Sequence, residues 1–254
     1  MISEKFTMTG TPEVEVRIAA GRVEFLQGTE GEISVEVDTS NPDFRVEQRG
    51  NLVLIASERN SGWLLRGSDF VTVRMPAGGE ARVTTASARV DCAPNMSRID
   101  VKTASGDVEI ESADIATVKT ASGDIGVRDI STSLRISTAS GDVFVRGECE
   151  GSLSCNTASG DLHVERCSGT IEVNSVSGDT NVRRYTGNQA NFKGMSGSIE
   201  LGIPEGTKVD LDATILSGRL RTPEKRETSL PTERHMSLRA KLVSGDLTID
   251  RVEA

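Results

Sequence analysis

One short repeated unit, threonine-alanine-serine-glycine-aspartate followed by an alternating arm, constrains this chain more than any other feature. It is written TASGDVEI at 103–110, TASGDIGV at 120–127, TASGDVFV at 138–145 and TASGDLHV at 157–164. Ser-Gly pairs continue to the C-terminal region at steps of 17, 18, 19, 18, 19, 21 and 27 residues. With the variant TASARV at 85–90, nine units run from about residue 81 to residue 250. This period is typical of a solenoid and is too short for the roughly 40-residue blade of a β-propeller.

Each unit carries two short arms in which apolar and polar residues alternate. Val108 and Ile110 follow one Ser-Gly pair, and Ile99 and Val101 precede it. A period of two is typical of β-strands with one buried face, and no unit shows the 3.6-residue period of a helix. Two such strands cannot bury a face alone, but stacked coils can, with parallel neighbouring strands about 4.8 Å apart. The sequence therefore predicts an all-β, single-stranded, right-handed parallel β-helix, or β-solenoid, with coils of about 18 residues.

The Ser-Gly pair marks the predicted corner of each coil. Glycine tolerates a positive φ, and a serine hydroxyl can bond local backbone, as a tight corner requires. The small alanine and serine before the glycine allow neighbouring coils to approach closely. The predicted corner glycines are Gly106, Gly123, Gly141, Gly160, Gly178, Gly197, Gly218 and Gly245.

The chain outside the regular repeat is assigned to the same solenoid. Residues 1–80 read as irregular strands or coils, and we expect them to start and cap the stack, because an open strand edge needs covering. The regular coils occupy 81–254, and a polar stretch with two prolines near 222–236 is predicted to be a surface loop. We therefore expect one domain over residues 1–254.

The TASGDV units, their alternating VxV arms and the Pro-x-Gly strand links resemble a bacterial family of β-strand repeat domains of unknown function, labelled as adhesins. The resemblance covers most of the chain and is best over 81–250. It implies a β-helix-like fold. The family label brings no catalytic residues with it.

An aspartate follows the glycine in many coils, so that stacking would align the acids in a column. Hard cations such as calcium bind clustered oxygens, which would make the column a cation ladder. The other interpretation is that each aspartate is an acceptor that caps its own turn. One acid per coil is fewer than calcium sites usually use, which favours the second. The candidate ladder is Asp107, Asp124, Asp142, Asp161 and Asp179, and Asp246 holds the same place further on.

The four cysteines match no zinc motif. Cys149 and Cys167 occupy equivalent places in adjacent coils, within disulfide range if the coils stack about 4.8 Å apart. The favoured interpretation is a small buried hydrophobe in a reducing compartment. No Ser–His–acid or Cys–His arrangement is suggested, and a regular acid ladder would not split carboxylate pKa values as catalysis needs. We therefore expect no enzymatic activity and no cofactor, with calcium as the one candidate ion.

The net charge and the N-terminal residues limit which partners and which cellular compartment we expect. The formal net charge of −9 argues against a nucleic-acid partner, because phosphate binding needs a basic face. No secretory signal opens the sequence, and no stretch approaches 18 apolar residues. We therefore expect a cytoplasmic protein without membrane insertion, which reaches the cell surface only by a non-classical route.

The favoured function is a non-enzymatic structural or interaction module whose flat, regular faces bind a protein or a cell-envelope component. The first alternative is a cytoplasmic scaffold that assembles into homo-oligomers by end-to-end or face contact. The second and less favoured alternative is a polysaccharide-active β-helix enzyme with acids on one face.

Overall fold

A computed structural model of the chain describes residues 1–57, 68–223 and 234–253. Within these ranges the protein is all-β, and it contains no helix long and apolar enough to cross a bilayer. The strands are β1 (Ile2–Thr7), β2 (Glu13–Gln27), β3 (Glu32–Asp38), β4 (Phe44–Arg49), β5 (Leu52–Ser57), β6 (Asp69–Met75), β7 (Glu80–Lys102), β8 (Val108–Lys119), β9 (Ile125–Ser140), β10 (Val143–Cys149), β11 (Ser152–Ser159), β12 (Leu162–Cys167), β13 (Ile171–Ser177), β14 (Thr180–Tyr185), β15 (Gln189–Ser196), β16 (Ile199–Pro204), β17 (Thr207–Ser217), β18 (Leu220–Arg221), β19 (Arg234–Ser244) and β20 (Leu247–Val252). Most strands pair in parallel, as stacked coils require, and the chain divides into two compact units, Met1–Gly126 and Val127–Ala254.

The N-terminal unit is built around β2. The first half of β2 pairs with β5 and the second half with β6, while its other edge pairs with β7, and all three pairings are parallel. Three antiparallel strands are added on the outside: β4 lies on β5, β3 lies on β6, and β1 lies on β3. The outer strands β5 and β6 are therefore covered, and their inward residues Val53, Ile55, Val71 and Val73 are at most 1% exposed.

The C-terminal unit is a stack of parallel strands in two rows. One row runs β9, β11, β13, β15, β19 and β17, and the other runs β10, β12, β14, β16, β20 and β18. The register places apolar residues next to apolar residues on neighbouring strands. Successive Cα partners are Leu153, Ile171, Ala190 and Leu238. All four side chains are at most 1% exposed. The period-two arms therefore form a continuous apolar core along the unit.

The order of the last coils differs from the order expected from the sequence. Successive coils were expected to pair, but β15 and β16 pair with β19 and β20, and β17 and β18 lie on the far side of those strands. The chain skips one position, forms the outer coil and then returns to fill the gap. The final step of 27 residues between Ser-Gly pairs supplies the chain needed for this return. Of the predicted polar loop at 222–236, residues 224–233 lie outside the described ranges, and residue 234 already begins β19.

The threonine and the glycine of the TASGD unit have different structural roles at the corner. The threonine points inward, and the Thr157 hydroxyl donates to the carbonyl oxygen of Ser159 at 3.0 Å. Gly178 has a φ of +131°, and a Cβ atom there would overlap the carbonyl oxygen of Gly160 in the neighbouring coil. Seven of the eight predicted corner glycines have a positive φ; Gly106 does not, although a Cβ there would overlap the neighbouring backbone as well.

Candidate functional site

The aspartate column is part of the backbone hydrogen-bond network. Oδ1 of Asp142 accepts the backbone N–H of Asp161 at 2.9 Å, and Oδ1 of Asp161 accepts that of Asp179 at 2.8 Å. Oδ1 of Asp179 in turn accepts the N–H of Ser198 at 2.7 Å. Each of these carboxylates therefore caps the next coil, and the expectation that each would cap its own turn is wrong. The amide of the neighbouring coil is within reach of the carboxylate because stacked strands lie about 4.8 Å apart.

The other predicted aspartates follow the same pattern where their contacts are described. Oδ1 of Asp107 accepts the N–H of Asp124 at 3.1 Å, and Oδ1 of Asp246 accepts the N–H of Arg219 at 2.8 Å. Within residues 1–57, 68–223 and 234–253, no group of three or more His, Cys, Asp or Glu side chains is placed to hold a metal ion. Calcium binding by this column stays the less favoured alternative.

The four cysteines, Cys92, Cys149, Cys155 and Cys167, are buried free thiols. Cys149 and Cys167 are Cα partners on β10 and β12, as expected from their equivalent places in the repeat. The hydrogen bond to Cys167, together with burial, raises the pKa of Cys149. Burial alone raises the pKa of Cys155 to about 12. The same hydrogen bond lowers the pKa of Cys167. All four thiols are buried and pack as small apolar side chains.

Four large apolar side chains are exposed in register along the C-terminal unit. Val176 is 49% exposed, Met195 57%, Val243 46% and Leu216 75%. Each stands one residue before the corner serine, at the place of the alanine in TASGD. The serines that follow them are Cα partners from strand to strand, so the four side chains form one line across β13, β15, β19 and β17. We call these four residues the apolar row.

The position that carries the apolar row is small in the preceding coils. Ala139 and Ala158 hold it on β9 and β11, and both are exposed. Large apolar side chains gathered on a soluble surface are uncommon and mark interaction sites, whereas single alanines need no explanation. Sequence reasoning misses the row because it interprets this position only as a small residue that permits close packing. The signal is present, since alanine gives way to valine, methionine, leucine and valine in the last four units.

A groove of about 490 Å³ is lined by two members of the row, Val176 and Met195. Lys193 and Lys241, which are Cα partners on β15 and β19, also line it, as does Gly194. The rest of the lining consists of hydroxyl and amide side chains from successive coils, namely Ser137, Thr138, Asn156, Thr157, Asn174 and Ser175. The groove thus combines an apolar wall with two amino groups and several hydrogen-bonding side chains.

An ion pair lies at the polar side of the groove. Nζ of Lys193 lies 3.8 Å from Oε1 of Glu172, an exposed ion pair that holds one amino group near the groove. The arrangement suits an elongated ligand with an apolar part and a polar or anionic part.

The comparison with solved structures shows a shared fold. A protein from Parabacteroides distasonis described as a "putative lipid binding protein" aligns over 99% of this chain and 96% of its own, with 18% identity and a TM-score of 0.59. Two proteins described as a "putative adhesin", from Parabacteroides distasonis and Parabacteroides merdae, cover the same shares at 13% and 11% identity, with TM-scores of 0.45 and 0.41. No curated protein matches the chain significantly. The profile of one domain family of unknown function matches residues 12–250, and the chain therefore belongs to the Toastrack DUF4097 family.

Proposed function

We propose that the chain is a non-enzymatic interaction module, a right-handed β-solenoid of about 18-residue coils that binds an amphiphilic component of the cell envelope. The observation that carries the proposal is the apolar row, whose four side chains are 46–75% exposed in register beside the groove. Apolar surface of this kind is unfavourable in water and becomes favourable when a ligand covers it, at roughly 25 cal/mol per Å² buried.

The size of the groove favours a small amphiphile over a protein. Its volume of about 490 Å³ lies within the range of small-molecule sites, which is roughly 300–1,000 Å³. A stable protein interface usually needs about 800 Å² from each partner, which is far more than one row of four side chains offers. A protein partner is therefore the second candidate, and the experiment below separates the two.

The charge beside the row favours an anionic group on the ligand. Lys193 and Lys241 are the two charged side chains that line the groove, and they lie on adjacent strands. An amino group attracts a carboxylate or a phosphate, and two of them discriminate an anionic amphiphile from a neutral one. The description of one structural relative as a "putative lipid binding protein" supports this ligand class.

A non-enzymatic role is supported by the side chains that catalysis would use. The aspartates of the column accept backbone N–H groups, and burial raises the pKa of Cys92 and Cys155 to about 12. Groups in these states are poor nucleophiles and poor general bases at neutral pH. Membership of this domain family and the lipid-binding description of one structural relative point in the same direction.

Fluorescence titration with cis-parinaric acid, an anionic apolar probe, tests the proposal. We expect saturable binding by the full chain and at least a tenfold weaker Kd for Met195→Glu combined with Val243→Glu, because the glutamates place charge in the apolar contact. Thr248→Glu, on β20 in the other row of strands, is the matched control and should bind as the parent does. Lack of binding by the parent chain, or unchanged binding by the double variant, would overturn the proposal. A protein partner would then be the favoured ligand of the apolar row.

The charge requirement has its own measurement. Lys193→Gln combined with Lys241→Gln should weaken the binding of cis-parinaric acid severalfold and leave the binding of its methyl ester unchanged. Equal loss for the acid and the ester would contradict an electrostatic role for the two amino groups.

A further inference from the structure

The outer strand of the C-terminal unit is β17, which pairs with β19 on one side. Within residues 1–57, 68–223 and 234–253, no strand pairs with its other side. Its inward residues Val209, Leu211, Ala213 and Ile215 are half-buried, whereas their partners on β19, such as Leu238, are fully buried. In the N-terminal unit the outer strands are covered by antiparallel additions, and their inward residues are fully buried. The two units therefore differ in how well the inward residues of their outer strands are buried.

An uncovered edge of this kind presents unpaired backbone N–H and C=O groups and invites another strand. We propose that the occupant is the β17 strand of a second copy of this chain, paired antiparallel about a two-fold axis. The proposal uses none of the residues that line the ligand groove, although Leu216 of the apolar row lies on β17, and it does not depend on the proposed function.

The first argument for a second copy is the local charge. The whole chain carries a net charge of −9, which would keep identical copies apart. The outer coil over residues 207–221 is different: it holds three basic residues, Lys208, Arg219 and Arg221, and two acidic residues, Asp210 and Asp212, so three minus two gives +1. The outer coil therefore does not share the net negative charge of the whole chain.

The second argument is the match of β17 with itself. If the two-fold axis passes at Asp212, all eleven residues of both strands overlap, and inward residues meet inward residues because the side-chain period is two. Val209 then faces the partner's Ile215, and Leu211 faces the partner's Ala213. Asp210 faces the partner's Thr214, so no charge opposes it. The two Asp212 side chains meet at the axis, where each already lies 3.1 Å from Nε of Arg239 in its own chain.

The third argument is the area. Eleven residues of strand extend about 36 Å at about 3.3 Å per residue, and two sheet walls about 10 Å apart with their side chains give a face roughly 20 Å wide. The face is then roughly 700 Å² per copy, close to the 800 Å² or so of a standard interface. Such a contact supports a dimer that dissociates on dilution. A two-fold contact also closes on itself, so it predicts dimers and no filaments.

Light scattering on a sizing column, with the full chain over a wide concentration range, is the first test. We expect a shift from the mass of one chain to the mass of two as the concentration rises. Thr214→Lys places a cation opposite the partner's Asp210 and should lower the dimer dissociation constant severalfold. Thr214→Asp places an anion there and should raise it severalfold. Both changes are on an exposed side chain, so both variants should fold. A constant single-chain mass, open-ended growth, or the same dissociation constant for both variants would overturn the proposal.

Cysteine cross-linking tests the register. Because the four native thiols are buried, one introduced cysteine is the reactive one. Asp212→Cys lies on the axis and should form a disulfide-linked dimer on mild oxidation with oxidised glutathione. Thr214→Cys lies on the same strand and the same side, but its two copies would be about 14 Å apart at about 3.4 Å per residue, so it should stay uncross-linked. Cross-linking of both variants to the same extent, or of neither, would contradict the pairing.

Discussion

The Oδ1 atom of Asp161 lies 2.8 Å from the backbone nitrogen of Asp179, one coil further along the C-terminal unit. The same aspartate donates its own backbone N–H to Oδ1 of Asp142 at 2.9 Å. Asp142, Asp161 and Asp179 therefore form a chain of side-chain caps, in which each carboxylate accepts a backbone N–H of the next coil. This gives the aspartate of the TASGD unit a structural task that requires neither a cation nor a substrate.

Removal of one cap should destabilise the unit. Asp161→Ala leaves the N–H of Asp179 without its acceptor, and we expect the free energy of unfolding to fall by about 1.5–3 kcal/mol, as for other hydrogen bonds to charged groups. Asp161→Asn keeps a carbonyl oxygen at the same place and should lose less than half of that. Urea denaturation measures both, with the exposed Asp250→Ala on β20 as control. Equal stability of the alanine variant and the control would show that the cap contributes nothing.

A methyl group at a corner should cost more than backbone conformation alone explains. Gly178→Ala would force a residue with a φ of +131° to carry a Cβ that overlaps the carbonyl oxygen of Gly160. Gly50→Ala is the matched control, because its φ is +66° but no atom lies within 4 Å of the new Cβ. We expect about 1 kcal/mol of destabilisation at Gly50 and at least about 3 kcal/mol at Gly178, measured by thermal and urea unfolding. Similar losses would mean that the coils can separate at the corner.

Stability should fall in alkaline solution because of the buried thiols. Burial raises the pKa of Cys155 from 9.0 to about 12, so between these values the unfolded chain releases a proton that the folded chain keeps. The free energy of unfolding therefore decreases as the pH rises from 9 towards 12, with the full contribution present below pH 9. Cys155→Val removes this proton. Anaerobic urea denaturation at two alkaline pH values should show a smaller loss for the variant, by on the order of 2 kcal/mol at about pH 10.5. A parallel pH dependence of the two proteins would argue against a protonated buried thiol.

Lengthening the apolar row should strengthen ligand binding. Ala158 occupies the same corner position as Val176 on the adjacent strand and is exposed. Ala158→Met would extend the row by one coil at little cost in stability, because exposed positions tolerate substitution within about 0.5 kcal/mol. We expect a threefold to tenfold lower Kd for cis-parinaric acid by fluorescence titration. The same methionine at Ala104, in the N-terminal unit, is the control and should leave the Kd unchanged.

The regular part of the fold could be predicted because its signal is repeated. The alternation around each Ser-Gly pair predicts strands, and the constant step predicts the parallel register that joins Leu153 to Ile171. The burial of Cys92 beside Ile110 and of Cys155 beside Ile136 follows from the same alignment. Each of these statements needs only the period, which the sequence displays directly.

The order of the coils and the site could not be predicted by that reasoning. Nothing local to β17 shows that β19 will lie between it and β15, because all three strands have the same inward pattern, and only the longer step before Ser244 hints at a different path. The apolar row is equally invisible to a search for motifs, since each member is a single conservative replacement. The row becomes a site only when the register brings Val176, Met195 and Val243 into line.

The position of β19 and β20 has a consequence for how the C-terminal unit can form. During synthesis the outer coil, β17 and β18, leaves the ribosome before the coil that holds it, and its strands have no partner until residues 234–252 arrive. The last segment therefore pairs with two coils: β19 and β20 contact β15 and β16 on one side and β17 and β18 on the other. The stack therefore cannot grow in the order of the sequence to its end, because the strands β19 and β20 must be made before the outer coil can pair with them.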